Sequence, residues 1–504
     1  MLKKDLPNCT EAIVQSEKPD NHPEILTIQK RLLTDKKLLK RIKNPKRSNM
    51  ILRTKKVNSK RKTHINSKKG KVQMDDTTAA KPLLNDPQDT LPTQTILSEP
   101  VSQLSKSMAF DNRLTWIMAI ACGLSVANLV YMQPLLADLG HSFAVSVSQL
   151  GFIAMLSLLG FASGLILIVP LGDKYNQRTL IIGMLCVVAM ALAMMALAPT
   201  IALLAIASYA VGLTSIIPEL ILPFVASLAQ PNERGRIVGT VISGLLVGAL
   251  LARTVGGFVG EHLGWRAMYW IAAMAMIVLA LVLLFLLPTD YSSKREISYP
   301  QLLGSLWKLL RSEPVLQEVS IFGILAFGSF NIFWVALSFF LEAPPYHYGS
   351  EVTGLFSLAG IAGALATSFV GNFTDRRDAR LANGAALAVM LLSFVVMWFM
   401  GQWLISLIIG VILLDLGAQS NQVSNQTRVY SLNPAARNRL NTIYMFMFSL
   451  GGSLGSMLGI FGWSVAKWNG VCGIACLMLI VALGFYILNS KRIQQWRKMH
   501  EHVC

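Results

Sequence analysis

The sequence predicts an all-α membrane protein. It has twelve transmembrane helices in two pseudo-symmetric six-helix halves, preceded by a disordered basic N-terminal tail. Three observations lead there. The chain is 53% hydrophobic and only 14% charged, where a soluble domain carries roughly 25% charged residues. From residue 114 onward it divides into apolar runs separated by short polar linkers. A short acidic-then-basic loop also occurs twice, as Val-Pro-Leu-Gly-Asp-Lys-Tyr-Asn-Gln-Arg at 169–178 and Gly-Asn-Phe-Thr-Asp-Arg-Arg-Asp-Ala-Arg at 371–380. Each copy lies between two apolar runs, the mark of one membrane unit built twice.

The tail, residues 1–110, holds 23 Lys and Arg against 11 Asp and Glu, so +12 of the chain's +18 lies there. It is rich in Lys, Asn, Ser and Pro and poor in aromatics, a composition that cannot bury enough apolar surface to fold. The basic balance therefore describes the tail and is no sign of nucleic-acid binding. There is no secretory apolar region, and the tail's acidic residues argue against a transit peptide. Ile25, Ile28, Leu32 and Leu39 would share one face of a basic helix on anionic lipid. The competing reading is a plain disordered tail, or an upstream stretch wrongly joined to the frame, with Met50, Met74 and Met108 as alternative starts.

The twelve runs are 114–136, 150–171, 179–198, 201–229, 237–259, 265–287, 321–341, 352–370, 381–399, 403–430, 440–461 and 471–488. At 1.5 Å per residue each crosses a hydrocarbon core of about 30 Å. Backbone groups in lipid must bond internally, which makes them helices. Their basic flanks, among them Arg234, Arg236, Lys308, Arg311, Arg437 and Arg439, fall in alternate loops, while the opposite loops hold only Arg266 and Lys467. The positive-inside rule then places both termini and both repeated loops in the cytoplasm. The organisation expected is a first half at 111–287, a cytoplasmic linker at 288–318, a second half at 319–490 and a cytoplasmic tail at 491–504. Leu302, Leu303, Leu306, Leu309 and Leu310 suggest a surface helix in the linker.

The repeat has an almost constant offset. At 203 residues, Gly151 meets Gly354, Gly160 meets Gly363, Arg234 meets Arg437, Gly248 meets Gly451 and Trp265 meets Trp468; Asp173 and Asp375 are 202 apart. With these residues the chain, over 111–490, resembles the major facilitator superfamily, and more narrowly a drug:proton antiporter-like bacterial branch. Asp173, Lys174 and Arg178 match that family's signature loop, with Val169 and Asn176 in place of its two glycines; Asn tolerates a left-handed backbone. The second copy keeps Gly371, Asp375, Arg376 and Arg380. Gly244, Gly248, Gly256 and Gly257 match the branch's glycine pattern, although Ala252-Arg253 replaces its Gly-Pro pair and Ser208 its basic residue in the fourth span. Asn128-Leu-Val-Tyr-Met-Gln-Pro134 and Leu250-Leu-Ala-Arg-Thr-Val-Gly256 look like a bacterial branch of largely unassigned substrate. The resemblance implies that spans one, four, seven and ten surround a central cavity.

Polar groups inside a span are costly, about 2.5–3.5 kcal/mol for a charge at the helix centre, so each needs a reason. In span ten Asp415, Gln419, Gln422 and Gln426 share a helical face; they line a cavity or form an interhelical seam. In span four Ser215 and Glu219 share a face, with Pro218 and Pro223 flanking the acid. Glu219 and, next, Asp415 are the proton-coupling candidates, because desolvation disfavours a charged carboxyl. The other reading makes Glu219 a fixed partner of Arg253. Arg253 itself either binds an anionic group or counters Glu219. Asn128 and Tyr131 share a face in span one, and their mates Asn331 and Trp334 lie in span seven; Trp334 also reads as core packing. The cytoplasmic gate candidates are Asp173, Lys174, Arg178, Arg234, Asp375, Arg376, Arg380 and Arg437.

Six cysteines and the outer-loop histidines His141, His262 and His347 receive no role. No phosphate loop, nucleophile elbow or metal-ligand cluster occurs, so neither a cofactor nor an enzyme activity is expected. The expected protein is a monomeric, multi-pass secondary transporter of the cytoplasmic (inner) membrane, whose partners are a small-molecule solute, protons and the lipid bilayer. Export of an amphipathic organic solute in exchange for protons is the first reading. Uptake of a sugar, nucleoside or similar solute is the second, and a non-transporting receptor or scaffold is the alternative of another class.

Overall fold

The structure is a computed structural model, which describes residues 112–230, 233–287, 299–360, 379–432 and 436–489. The tail, Asp375, Arg376 and most of the eighth expected span lie outside them. Every regular element among the described residues is helical. Ten helices there are long and apolar enough to cross a membrane.

The first crossing is not one helix. It is α1, Asn112–Ala127, and α2, Met132–Phe143, with a tighter turn between them. Pro134 has no N–H, and the carbonyl of Val130, four residues back, accepts from the Gln133 amide at 3.1 Å instead. The fourth crossing breaks the same way. Its parts are α5, Ile201–Thr214, and α6, Ile217–Leu228, where Pro218 follows the break and Ser215 Oγ donates to the Val211 carbonyl at 2.7 Å. Between them in the chain come α3, Val147–Leu167, a tight turn at Val169–Asp173, and α4, Gln177–Leu197. Asn176 is not left-handed, as the comparison with glycine suggested. It has φ −60° and caps α4 by accepting from the Thr179 amide at 3.3 Å, a bond that satisfies an unpaired first-turn donor.

The later helices are α7, Arg234–Leu263; α8, Trp265–Leu286; α9, Tyr299–Ser312; α10, Pro314–Glu342; α11, Ala379–Met400; α12, Leu404–Tyr430; and α13, Arg437–Leu488. Residues 350–360 are also helical. The offset of 203 places Leu337 and Asn421 opposite Pro134 and Pro218. With no proline there, α10 and α12 run unbroken for 29 and 27 residues. The 52 residues of α13 are two arms, because the backbone leaves helical geometry at Ala466 and Lys467 and a Cβ on Gly462 would lie 2.9 Å from the Gly470 carbonyl. That approach across eight residues requires the chain to turn back on itself.

Small residues let the crossings pack closely. Gly244 and Gly248 of α7 lie on the backbone of Ala119 and Gly123 in α1, and Gly451 and Gly455 of α13 lie on Ile324 and Gly328 in α10. Lipid gives little driving force for helix association, so such close backbone approach supplies the dispersion contact. The apolar side of α9 joins a second core, where Leu306 packs with Leu316, Val319, Leu440 and Tyr444.

Among the described residues, the polar contacts between the halves lie mainly away from the basic loops. Thr254 Oγ1 donates to the Gly354 carbonyl at 3.1 Å, Ser357 Oγ to the Leu250 carbonyl at 2.9 Å, and Ser453 Oγ to the Met155 carbonyl at 3.0 Å. At that same end His141 Nε2 lies 2.5 Å from Glu342 Oε1, and Glu261 Oε2 accepts from the Ser350 amide at 2.9 Å.

Candidate functional site

Between the halves lies a cavity of about 190 Å³. Its polar lining is Gln133 from α2, Glu219 from α6, Arg253 from α7, Asn331 from α10, Asp415, Gln419 and Gln422 from α12, and Ser449 from α13. Phe161, Phe327, Phe330 and Phe448 supply aromatic walls. Both halves therefore contribute, and the α12 side chains are those that helical spacing aligned.

Arg253 is the centre of the arrangement. It is 5% exposed. Its Nε donates to Gln133 Oε1 at 2.6 Å, and its Nη1 to the Ala249 carbonyl at 3.4 Å. Gln133 Nε2 in turn donates to Asn331 Oδ1 at 3.4 Å, and Asn331 Nδ2 to the Phe327 carbonyl at 2.9 Å. The guanidinium sits 4.3 Å from the Trp334 ring centre and 5.9 Å from that of Phe330. A cation over an aromatic face is stabilised by the ring quadrupole, more strongly where water is excluded. Trp334 thus supports Arg253 from behind and does not line the cavity.

Two carboxylates share the space. Asp415 is 1% exposed, and its Oδ2 has no hydrogen-bond partner. It lies within electrostatic reach of Arg253, yet the two do not form an ion pair within 4.0 Å. Glu219 is half-buried on the cavity wall. Arg253 takes Gln133 and Trp334 as its contacts, not Glu219.

Several expected site residues point elsewhere. The break between α1 and α2 takes Asn128 and Tyr131 off a common helical face. Asn128 Nδ2 meets Met276 Sδ at 3.5 Å, and neither residue lines the cavity. Ser215 is committed to its own backbone, and Gln426 Nε2 lies 3.7 Å from Met445 Sδ. Gln133, which joins Arg253 to Asn331, escaped the helical-face argument because it falls just past the break. Pro134 beside it was the usable signal.

The gate candidates fall into separate places. Lys174 is exposed beside Tyr175, and Arg178 donates to the Leu284 carbonyl at 2.5 Å. Arg234 is exposed, and Arg437 donates to the Tyr430 carbonyl at 3.3 Å. Arg380, expected at the end of a loop, is instead 7% exposed inside the second half. There Nε and Nη2 donate to Glu318 Oε1 at 3.1 and 2.8 Å. Arg428 holds the other oxygen of Glu318. One turn away Asn383, Asn421 and Asn425 donate to one another in a closed ring. The offset of 203 gives Thr115 and Val225 for Glu318 and Arg428, and Pro218 and Leu222 for Asn421 and Asn425, while at the loop's offset of 202 Arg380 meets Arg178 and Asn383 meets Ile181. The Glu318–Arg428 pair and the asparagine ring are therefore peculiar to the second half.

Known proteins agree with this architecture. The chain matches the Major Facilitator Superfamily over residues 115–456. It is 39% identical to the protein named uncharacterized transporter YgaY of Escherichia coli over 367 residues, 73% of this chain and 93% of that one. It is 30% identical to a protein of Streptomyces coelicolor named probable transporter SCO4007, over 72% of this chain and 85% of that one. Among solved structures, the nucleoside transporter NupG superposes with a TM-score of 0.62 at 16% identity, covering 74% of this chain and 98% of its own. A multi-pass helical chain with a solute-sized cavity between two halves, and with these relatives, belongs to the Major Facilitator Superfamily of transport proteins, which are not enzymes.

Proposed function

We propose that this transporter is a proton-coupled secondary exporter of a small amphipathic organic solute. It would have twelve spans, act as a monomer in the inner membrane, and keep both termini in the cytoplasm. The observation that carries the reading is the shared cavity, where one arginine and two carboxylates stand among aromatic and amide side chains. Aromatic walls with a few placed polar groups suit an amphipathic molecule. Glu219 is the proposed proton carrier. It is an acid without a fixed cation, and it stands beside a helix break such as transporters use at their sites.

Among the described residues, the hydrogen bonds between halves gather at the end away from the basic loops. That distribution supports an inward-facing arrangement, with alternating access by rocking of one half on the other. Asp173 and Asp375, with the basic residues around them, are proposed as latches that hold the cytoplasmic side shut in the opposite arrangement.

The test is transport by the full chain in liposomes under an imposed pH gradient. Export should require the gradient, collapse with a protonophore, and disappear in Glu219→Gln while solute binding persists. Gradient-driven transport that is unchanged in Glu219→Gln rejects the assignment of the proton to that residue.

A further inference from the structure

We propose that Arg253 and Asp415 form a two-point clamp for a zwitterionic solute, an amino-acid-like head carrying an aromatic body. The inference rests on the transporter reading and deepens it.

Both groups stand at one depth. Arg253 precedes the end of α7 by ten residues and Asp415 follows the start of α12 by eleven. At 1.5 Å per residue both lie about 15 Å inside the end where the halves touch. They approach from different halves. Each has spare bonding capacity: the Asp415 Oδ2 acceptor has no partner, and Arg253 spends only Nε and Nη1 on protein acceptors. A buried charge normally finds an opposite charge. These two charges are near enough to feel one another, form no ion pair within 4.0 Å, and both line the same cavity.

The chemistry of the occupant follows. A carboxylate suits the fork of the guanidinium, whose orientation Gln133 and Trp334 already fix. An ammonium suits Asp415. A purely anionic solute would leave Asp415 unmatched beside a like charge, and a purely cationic one would do the same to Arg253. A zwitterion satisfies both without adding net charge. Its body would lie against Phe327 and Phe448, whose rings stack at 3.8 Å, and Phe330. Glu219 stands eighteen residues into its crossing, about 10 Å further toward the basic end at the same rise. Head-group binding and proton carriage are thereby assigned to separate residues.

Three probes that differ only in the head group test the clamp: L-phenylalanine, phenethylamine and 3-phenylpropionate. Binding is measured by equilibrium dialysis on the full-length protein in nanodiscs. Phenylalanine should bind about tenfold or more tighter than either singly charged analogue, since charge-assisted bonds differ by that much. Arg253→Gln should erase the preference over phenethylamine, and Asp415→Asn the preference over 3-phenylpropionate. Arg253→Lys, which keeps the charge, should restore part of it, and each variant's elution profile reports its folding. Equal binding of phenylalanine and one analogue overturns the clamp, as does binding of none of the three. Proton-driven export of a panel of radiolabelled amphipathic solutes, phenylalanine among them, in vesicles of the same preparation reports separately on transport. Export with no phenylalanine binding rejects the clamp and leaves the transporter reading standing; the predicted binding pattern without any flux does the reverse.

Discussion

Glu318→Gln is the substitution whose cost the structure defines most fully. Glu318 is completely buried, and each of its oxygens holds a different arginine. A glutamine keeps the size but leaves two buried guanidinium groups without an anion. Breaking a buried ion pair by removing one partner costs about 3–5 kcal/mol. The upper part of that range applies here, because Arg428 Nε and Nη1 already lack partners and cannot rearrange onto an acceptor they have. For a folding unit the size of one half, each kcal/mol lowers the melting temperature by about 2–4 °C. The expected fall is about 10 °C or more, read by thiol-reactive dye fluorescence on the purified protein during a thermal ramp. A control separates loss of charge balance from loss of packing. The combined replacement Glu318→Thr, Arg380→Gln and Arg428→Val installs Thr115 and Val225 of the first half at two matching positions and a neutral glutamine at the third. Removing all three charges together leaves no unpaired one, so this variant should melt above Glu318→Gln. The reasoning fails if Glu318→Gln melts within about 2 °C of the parent, or if the triple variant melts below the single one.

Other outcomes follow from the same geometry. Gln133→Leu removes both the bond to Arg253 and the bond to Asn331, so it should weaken solute binding about tenfold or more without changing the melting temperature by a similar proportion; dialysis and the thermal ramp together check this. Gly248→Val places a side chain on the backbone of Gly123, and should reduce the yield of folded protein on gel filtration to a small fraction of the parent's. Asp173→Asn should shift the distance distribution between spin labels at residues 175 and 437 toward longer separations and slow turnover; an unchanged distribution removes the proposed latch. A chain starting at Met108 should insert and transport like the full chain, measured by protease protection and by flux in liposomes.

The apolar crossings and the family were legible because membrane helices announce themselves by run length, and a duplicated unit by a fixed offset. The spare face of α12, Asp415 to Gln422, was also readable, since one helix carries it whole. What escaped reading depends on proline and on distance along the chain. The spacing of Asn128 to Tyr131 and of Ser215 to Glu219 assumed one continuous helix each. Pro134 and Pro218 break both and redirect the side chains. Glu318 meets Arg380 and Arg428 across 62 and 110 residues. No periodicity links positions so far apart. Arg380 therefore read as a loop residue, although it is buried. His141 looked like a lone outer histidine for the same reason, with Glu342 at 201 residues' remove.

The buried polar column has a consequence for how the protein is made. Taken alone, α12 carries Asp415, Arg428, two asparagines and three glutamines, and each charge at the middle of an inserting helix costs about 2.5–3.5 kcal/mol. Such a segment partitions poorly into lipid by itself. Its partners, Glu318 in α10 and Asn383 in α11, both precede it in the chain. They leave the ribosome first and are in place when α12 arrives. The order of the residues along the sequence thus matches the order in which the membrane can accept them. In a translocon assay α12 should insert poorly as an isolated segment and well behind α10 and α11, and insertion should drop when Glu318 and Asn383 are made alanine.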